Sequence, residues 1–142
     1  MSTRILLLTH APLAQALHAC AAHVFPDCAA ELLVLDVPAH EAPEDSLAAA
    51  QALLASVPPQ PQTLVLTDVL GATPCNVAQR LVQAQTDYAL VTGVNLPMLL
   101  RALCYRHEAL DSLVSRAVDG GKAGVMRVES ALSAPSLRCP CP

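Results

Sequence analysis

Aromatic residues are nearly absent from this 142-residue sequence, which has one Phe, two Tyr and no Trp. That scarcity excludes the stacking platforms on which single-stranded nucleic acids are held. Clustered positive charge is missing as well. Lys and Arg number 8 against 12 Asp and Glu, the formal net charge is −4, and the basic residues are scattered. No nucleic-acid partner is expected from such a chain. Hydrophobic residues make up 54%, yet no apolar run approaches the roughly 18 residues that a membrane-crossing helix needs. The first apolar run stops at Thr9 and His10, too soon for a secretory signal. A cytoplasmic location without membrane insertion is the expectation. The six cysteines include no CxxC pair. Cys20, Cys28, Cys75 and Cys104 lie in apolar or helical stretches and read as buried, reduced thiols. Cys139 and Cys141 flank Pro140 at a proline-rich end, with no histidine near enough to complete a metal clip.

What is present is a regular alternation. Short apolar runs at residues 5–8, 32–37, 64–66 and 89–91 read as buried strands. Between them, residues 12–24, 44–57 and 74–85 carry helical spacing, with Leu13, Leu17 and Ala21 on one stripe and Val77, Ala78, Leu81 and Val82 on another. Two more helices follow, one from "GVNLP" through Leu103 and one over residues 109–118. "DGGKAG" is expected to end the last helix before a short fifth edge strand at residues 125–128. Strands alternating with helices imply βαβ units. The expected fold is therefore α/β and doubly wound, a mainly parallel sheet of order 2-1-3-4 with helices on both faces. One domain over residues 1–129 and a disordered tail over 130–142 complete the division.

Three strand-to-helix junctions look alike: "THAP", "GATP" and "VNLP". Each places a proline where the first helical turn begins, and Thr73 and Asn95 are suited to cap the second and third of those helices. All three junctions fall at the carboxyl edge of the sheet, where open α/β sheets bind ligands. In the order 2-1-3-4, strands 1 and 3 flank the switch point, and His10 and Asp68 face each other across it.

Taken singly, His10 is a polar surface residue, Asp68 a turn residue and Thr73 a cap. Together they describe a site. A carboxylate that accepts from one ring N–H fixes the tautomer and leaves the other nitrogen as a nucleophile. Gly71 and Ala72 allow backbone amides to approach a ligand, and the helix start at Thr73 favours an anion. A nucleophilic imidazole beside an anion-binding helix start points to phosphoryl acceptance. His18, His23, His40 and His107 have no comparable setting. His10 and Asp68 are too few for a zinc site, so no metal and no cofactor are expected. A receiver-type domain would use Asp68 as phosphoacceptor with Thr92 and Lys122, but it needs acidic magnesium ligands after strand 1, where Thr9 and His10 stand.

"ILLLTHAPLAQAL", "LVLTDVLGATPCNVA" and "VTGVNLPMLLRAL" together resemble the enzyme IIA component of the mannose-type (mannose/fructose/sorbose) phosphoenolpyruvate-dependent sugar phosphotransferase system. The similarity runs from Arg4 to about Val128. It implies a phosphotransferase in which His10, on its ε2 nitrogen, takes a phosphoryl group from the histidine-phosphorylated carrier HPr and passes it to a IIB partner or uses it as a regulatory signal. Asp68 would orient the ring, while Gly71, Ala72 and the Thr73 hydroxyl would hold the phosphoryl group. Pro12, Leu70, Pro97 and Met98 would touch the partner. A homodimer, in some members with the last strand exchanged, is implied as well. Where the family commonly has "GGSPFN", this chain has "GATPCN". The phosphotransfer subunit of dihydroxyacetone kinase, which shares the fold and an early histidine, is the alternative, as is a non-catalytic sensor of phosphorylation state. No IIB-like or transport region is evident in the 142 residues, so this chain is not expected to move sugar alone.

Overall fold

A computed structural model describes residues 2–129 and Leu137. Strand β1 (Arg4–His10) holds the middle of a sheet completed by β2 (Leu33–Val37), β3 (Thr63–Leu66) and β4 (Tyr88–Val91). The order is β2-β1-β3-β4 and every pairing is parallel. Because β1 is flanked on both sides and covered on both faces, residues 5 to 9 can all be apolar or internally bonded. Leu6, Leu7 and Leu8 have no exposed surface, and each buried leucine contributes about 1.5–3 kcal/mol.

Alternation along β1 divides the core in two. Ile5 and Leu7 pack with Leu17 of α1 (Leu13–Val24), with Leu99 and Leu103 of α5 (Leu96–Cys104) and with Leu113 of α6 (Leu110–Ala123). Leu6 and Leu8 pack with Leu54 of α3 (Pro43–Ala55) and with Val77 and Leu81 of α4 (Thr73–Gln83). A four-residue helix α2 (Pro26–Ala29), not evident in the sequence pattern, links α1 to β2. The expected α/β fold and its strand order 2-1-3-4 are as described here.

The expected fifth strand is not. Residues 125–129 form no strand, and Val125, Met126 and Val128 are 73–77% exposed. Nor does "DGGKAG" end the helix: α6 runs through Gly120 and Gly121 to Ala123. These glycines serve packing. A Cβ on Gly120 would lie 2.7 Å from Arg101 Cβ, and one on Gly121 2.8 Å from Met98 Cε. The bare face of α6 thus lies against α5, and Asn95 Nδ2 ties the two by donating to the Gly121 carbonyl at 3.1 Å. Gly120→Ala should therefore destabilise the protein by about 1–3 kcal/mol through overpacking, although alanine is intrinsically the better helix former by about 1 kcal/mol. Urea unfolding checks this, and a raised midpoint would contradict the close helix contact.

The cysteines also differ from expectation. Cys75 is buried and free, Cys20 is free but exposed, and Cys104 is disulfide-bonded. Apart from Leu137, the segment 130–142 expected to be a disordered tail, with Cys139 and Cys141, lies outside the described residues.

Candidate functional site

His10 is the last residue of β1, and Asp68 stands two residues beyond β3. Parallel pairing brings both to the carboxyl edge. His10 Nδ1 lies 2.8 Å from Asp68 Oδ2, and the His10 backbone N–H donates to the same oxygen at 3.1 Å. The other oxygen, Oδ1, accepts from the Val69 N–H at 3.0 Å. A carboxylate only accepts, so in the neutral ring Nδ1 carries the proton and Nε2 keeps its lone pair. Burial differs sharply across the pair, with the Asp68 side chain 9% exposed and that of His10 52% exposed. Burial alone would raise the Asp68 pKa, but the bonds from the His10 ring and backbone, with the local amide and the imidazole charge, outweigh it and hold the carboxyl below its ordinary value.

The loop after Asp68 turns at Gly71, whose φ of +85° suits glycine. Ala72, with extended backbone, is the N-cap of α4, so Thr73 occupies the first helical position rather than the cap. No side chain caps this helix and no acidic residue lies in its first turn. Among the described residues, no anion therefore sits on its unpaired N–H groups and positive dipole end. Asn95 does cap α5, its Oδ1 accepting from the Met98 N–H at 2.9 Å. Pro12 is itself the N-cap of α1 rather than a first-turn residue.

Of the residues expected to touch a partner, Pro12, Leu70 and Pro97 are exposed. Met98 is not. It is 5% exposed, its side chain turned against Gly121 of α6, which removes it from any contact surface. Val69 was not anticipated there, and it is 54% exposed beside Leu70 at 71%. Asp36, near the end of β2, was also missed. It accepts from the N–H groups of Ala14 at 2.8 Å and Gln15 at 3.1 Å. An acid closing an apolar strand was the available signal, but its target depends on strand register. Among the described residues, no group of three or more His, Cys, Asp or Glu could hold a metal ion.

The family model described as "PTS system fructose IIA component" matches residues 4–118. The chain belongs to the mannose-type IIA family of the sugar phosphotransferase system. It is 38% identical to the mannose-specific EIIAB component of Escherichia coli K12 over 84 residues, 54% of this chain and 26% of that protein. Identity to the fructose-specific EIIA component of Bacillus subtilis is 36% over 63 residues, 44% of this chain and 43% of the relative. The chain thus spans about a quarter of the mannose-specific relative's length and under half of the fructose-specific one's. Among solved structures, the mannose/sorbose-specific IIA subunit from Enterococcus faecalis superposes with a TM-score of 0.82 at 26% identity, covering 97% of this chain and 100% of that one. The EIIA component from Streptococcus agalactiae gives 0.77 at 25% identity, covering 88% and 96% respectively. No helix among the described residues is long and apolar enough to cross a membrane.

Proposed function

We propose that this IIA-family chain is a phosphotransferase that accepts a phosphoryl group from phosphohistidine HPr on Nε2 of His10 and passes it to a IIB partner or presents it as a regulatory signal. The observation that carries this reading is an imidazole held through Nδ1 by a half-buried carboxylate while half of its own side chain stays open to solvent. A P–N bond on the donor histidine breaks as another forms at Nε2, and the donor ring keeps the electron pair of the broken bond. His10 gains positive charge during attack, and Asp68 stabilises it through the Nδ1–H. Gly71, Ala72 and Thr73, at the uncapped start of α4, supply the seat for the phosphoryl oxygens. Val69, Leu70, Pro12 and Pro97 form the apolar surface on which the partner protein docks, in the cytoplasm. Incubation with phosphoenolpyruvate, enzyme I and HPr should place one phosphoryl group on each chain, acid-labile and base-stable as phosphohistidine is. A stable label in acid would overturn the reading.

The functional unit on this reading is residues 1–129, assembled as a homodimer. Support comes from the exposed Val125, Met126 and Val128, a β-prone segment that pairs with no strand among the described residues, and from β2 and β4, whose outer edges have no neighbouring strand among those residues. Deleting residues from Gly124 onward should shift sedimentation toward the monomer. A full-length chain that sediments as a monomer at micromolar concentration would refute the dimer.

A further inference from the structure

We propose that Asp36 is a positioning residue for transfer at His10, an inference that rests on the phosphohistidine reading. Two helices begin at the switch point, α1 just after His10 and α4 just after the Asp68 loop. Their amino ends are treated oppositely. That of α4 has no side-chain cap, whereas that of α1 is filled by Asp36, which takes the Ala14 and Gln15 N–H groups at 2.8 and 3.1 Å. Pro12 cannot supply a cap from α1 itself, having no side-chain acceptor, so the carboxylate comes from the neighbouring strand.

Parallel register aligns Asp36 with Thr9, directly before the nucleophile. The fully buried Thr9 hydroxyl lies 3.4 Å from Asp36 Oδ1 and 3.1 Å from the His10 carbonyl oxygen. One side chain therefore fixes the chain on both sides of His10, at Thr9 before it and at Ala14 and Gln15 after it. The Ala11 N–H donating to Val37 at 3.1 Å adds a further tie to β2. Two consequences follow. The joint carrying the imidazole cannot swing as a loop, so the Nδ1–H stays aimed at Asp68. The anion seat on α1 is also taken by the protein's own charge, which leaves the start of α4 as the open one. An arriving phosphoryl group thus meets one attractive helix end rather than two competing ones.

Asp36 is half-buried and is not among the exposed docking residues, so its loss should act on the rate and not on recognition. Single-turnover transfer from labelled phospho-HPr, run over a range of HPr concentrations, separates the two. Asp36→Ala should lower the maximal rate at least about tenfold, since misplacement of a reacting group by about 1 Å can cost 10²-fold, and leave the HPr concentration dependence within about twofold. Asp36→Asn should recover part of the loss, because its amide oxygen still accepts from a first-turn N–H. Gly120→Ala, destabilised at the α5–α6 contact and not at any hydrogen bond of Asp36, serves as the stability control and should keep the parent maximal rate. Ring 15N spectra of His10, which need no partner protein, should give the single Nδ1–H tautomer in the parent and a mixture in Asp36→Ala. A parent rate and an unmixed tautomer in Asp36→Ala would overturn the positioning role. A parent chain that takes no label at all would overturn the phosphohistidine reading instead, while the tautomer spectra still decide the role of Asp36.

Discussion

Replacing His10 with alanine should abolish phosphoryl incorporation, while His18→Ala and His107→Ala should be labelled like the parent. The five histidines are equal in their capacity for a P–N bond, so setting must decide among them. Among the described residues, His10 alone has a ring nitrogen bonded to a carboxylate. His107 instead stacks on Tyr105, the ring centroids 6.3 Å apart. His18 is half-buried on α1, with no carboxylate on its ring. With no carboxylate on the ring, neither gains the stabilisation that His10 receives from Asp68 as positive charge builds. Transfer from HPr phosphorylated beforehand should also proceed in a chelator, because the donor already carries the group on an activated P–N bond. Label persisting on His10→Ala would displace the nucleophile to another residue.

Asp68→Ala should fold normally yet accept phosphoryl at least about tenfold more slowly, a barrier change of about 1.4 kcal/mol. Two electrostatic effects oppose each other here. The carboxylate repels an incoming phosphoryl group, and a charge pair at about 4 Å is worth roughly 4 kcal/mol at an effective dielectric of 20. The phosphoryl group, however, arrives at Nε2, across the ring from the carboxylate, where the penalty is smaller. The attraction acts at 2.8 Å on the ring N–H whose positive charge grows during attack. The nearer interaction wins, as it does for the carboxylate of a hydrolase triad. Asp68→Asn should be slowed too, since an amide lacks the charge and can favour the wrong tautomer. Rapid-quench kinetics decide between outcomes, and a parent rate in Asp68→Ala would reduce Asp68 to a turn residue. The same carboxyl links folding to pH. Its folded pKa is lowered, so its contribution to stability is present above its unfolded pKa of about 3.9 and is lost as pH falls through the folded value. Asp68→Asn should therefore flatten part of the acid limb of the stability profile.

The sheet was legible because its central strands β1 and β3 are buried on both faces and so are written as unbroken apolar runs, with β1 the plainest. The shared edge of His10 and Asp68 follows from strand order alone, since both stand at carboxyl ends of adjacent parallel strands. What escaped was whatever depended on packing between elements. Gly120 and Gly121 carry a breaker's signal in isolation, but they are required where α5 presses on α6, and only the helix contact distinguishes the two meanings. Met98 sits in the same stretch as the exposed Pro97, and its inward turn depends on that same contact. Asp36 was hidden for a different reason. Its partners are on α1, 21 and 22 residues back along the chain, and parallel register rather than local pattern brings them together.

The proposed site offers a single open nitrogen, Nε2, on one exposed ring edge. A donor protein and an acceptor protein must both present a histidine or other acceptor atom to that one atom, and two globular partners cannot occupy it together. Donor and acceptor therefore exclude each other, and each must leave before the next arrives. A carrier built this way obeys ping-pong kinetics. Excess unphosphorylated donor becomes an inhibitor of onward transfer, so flux through the chain reports the ratio of charged to uncharged carrier rather than the amount of either.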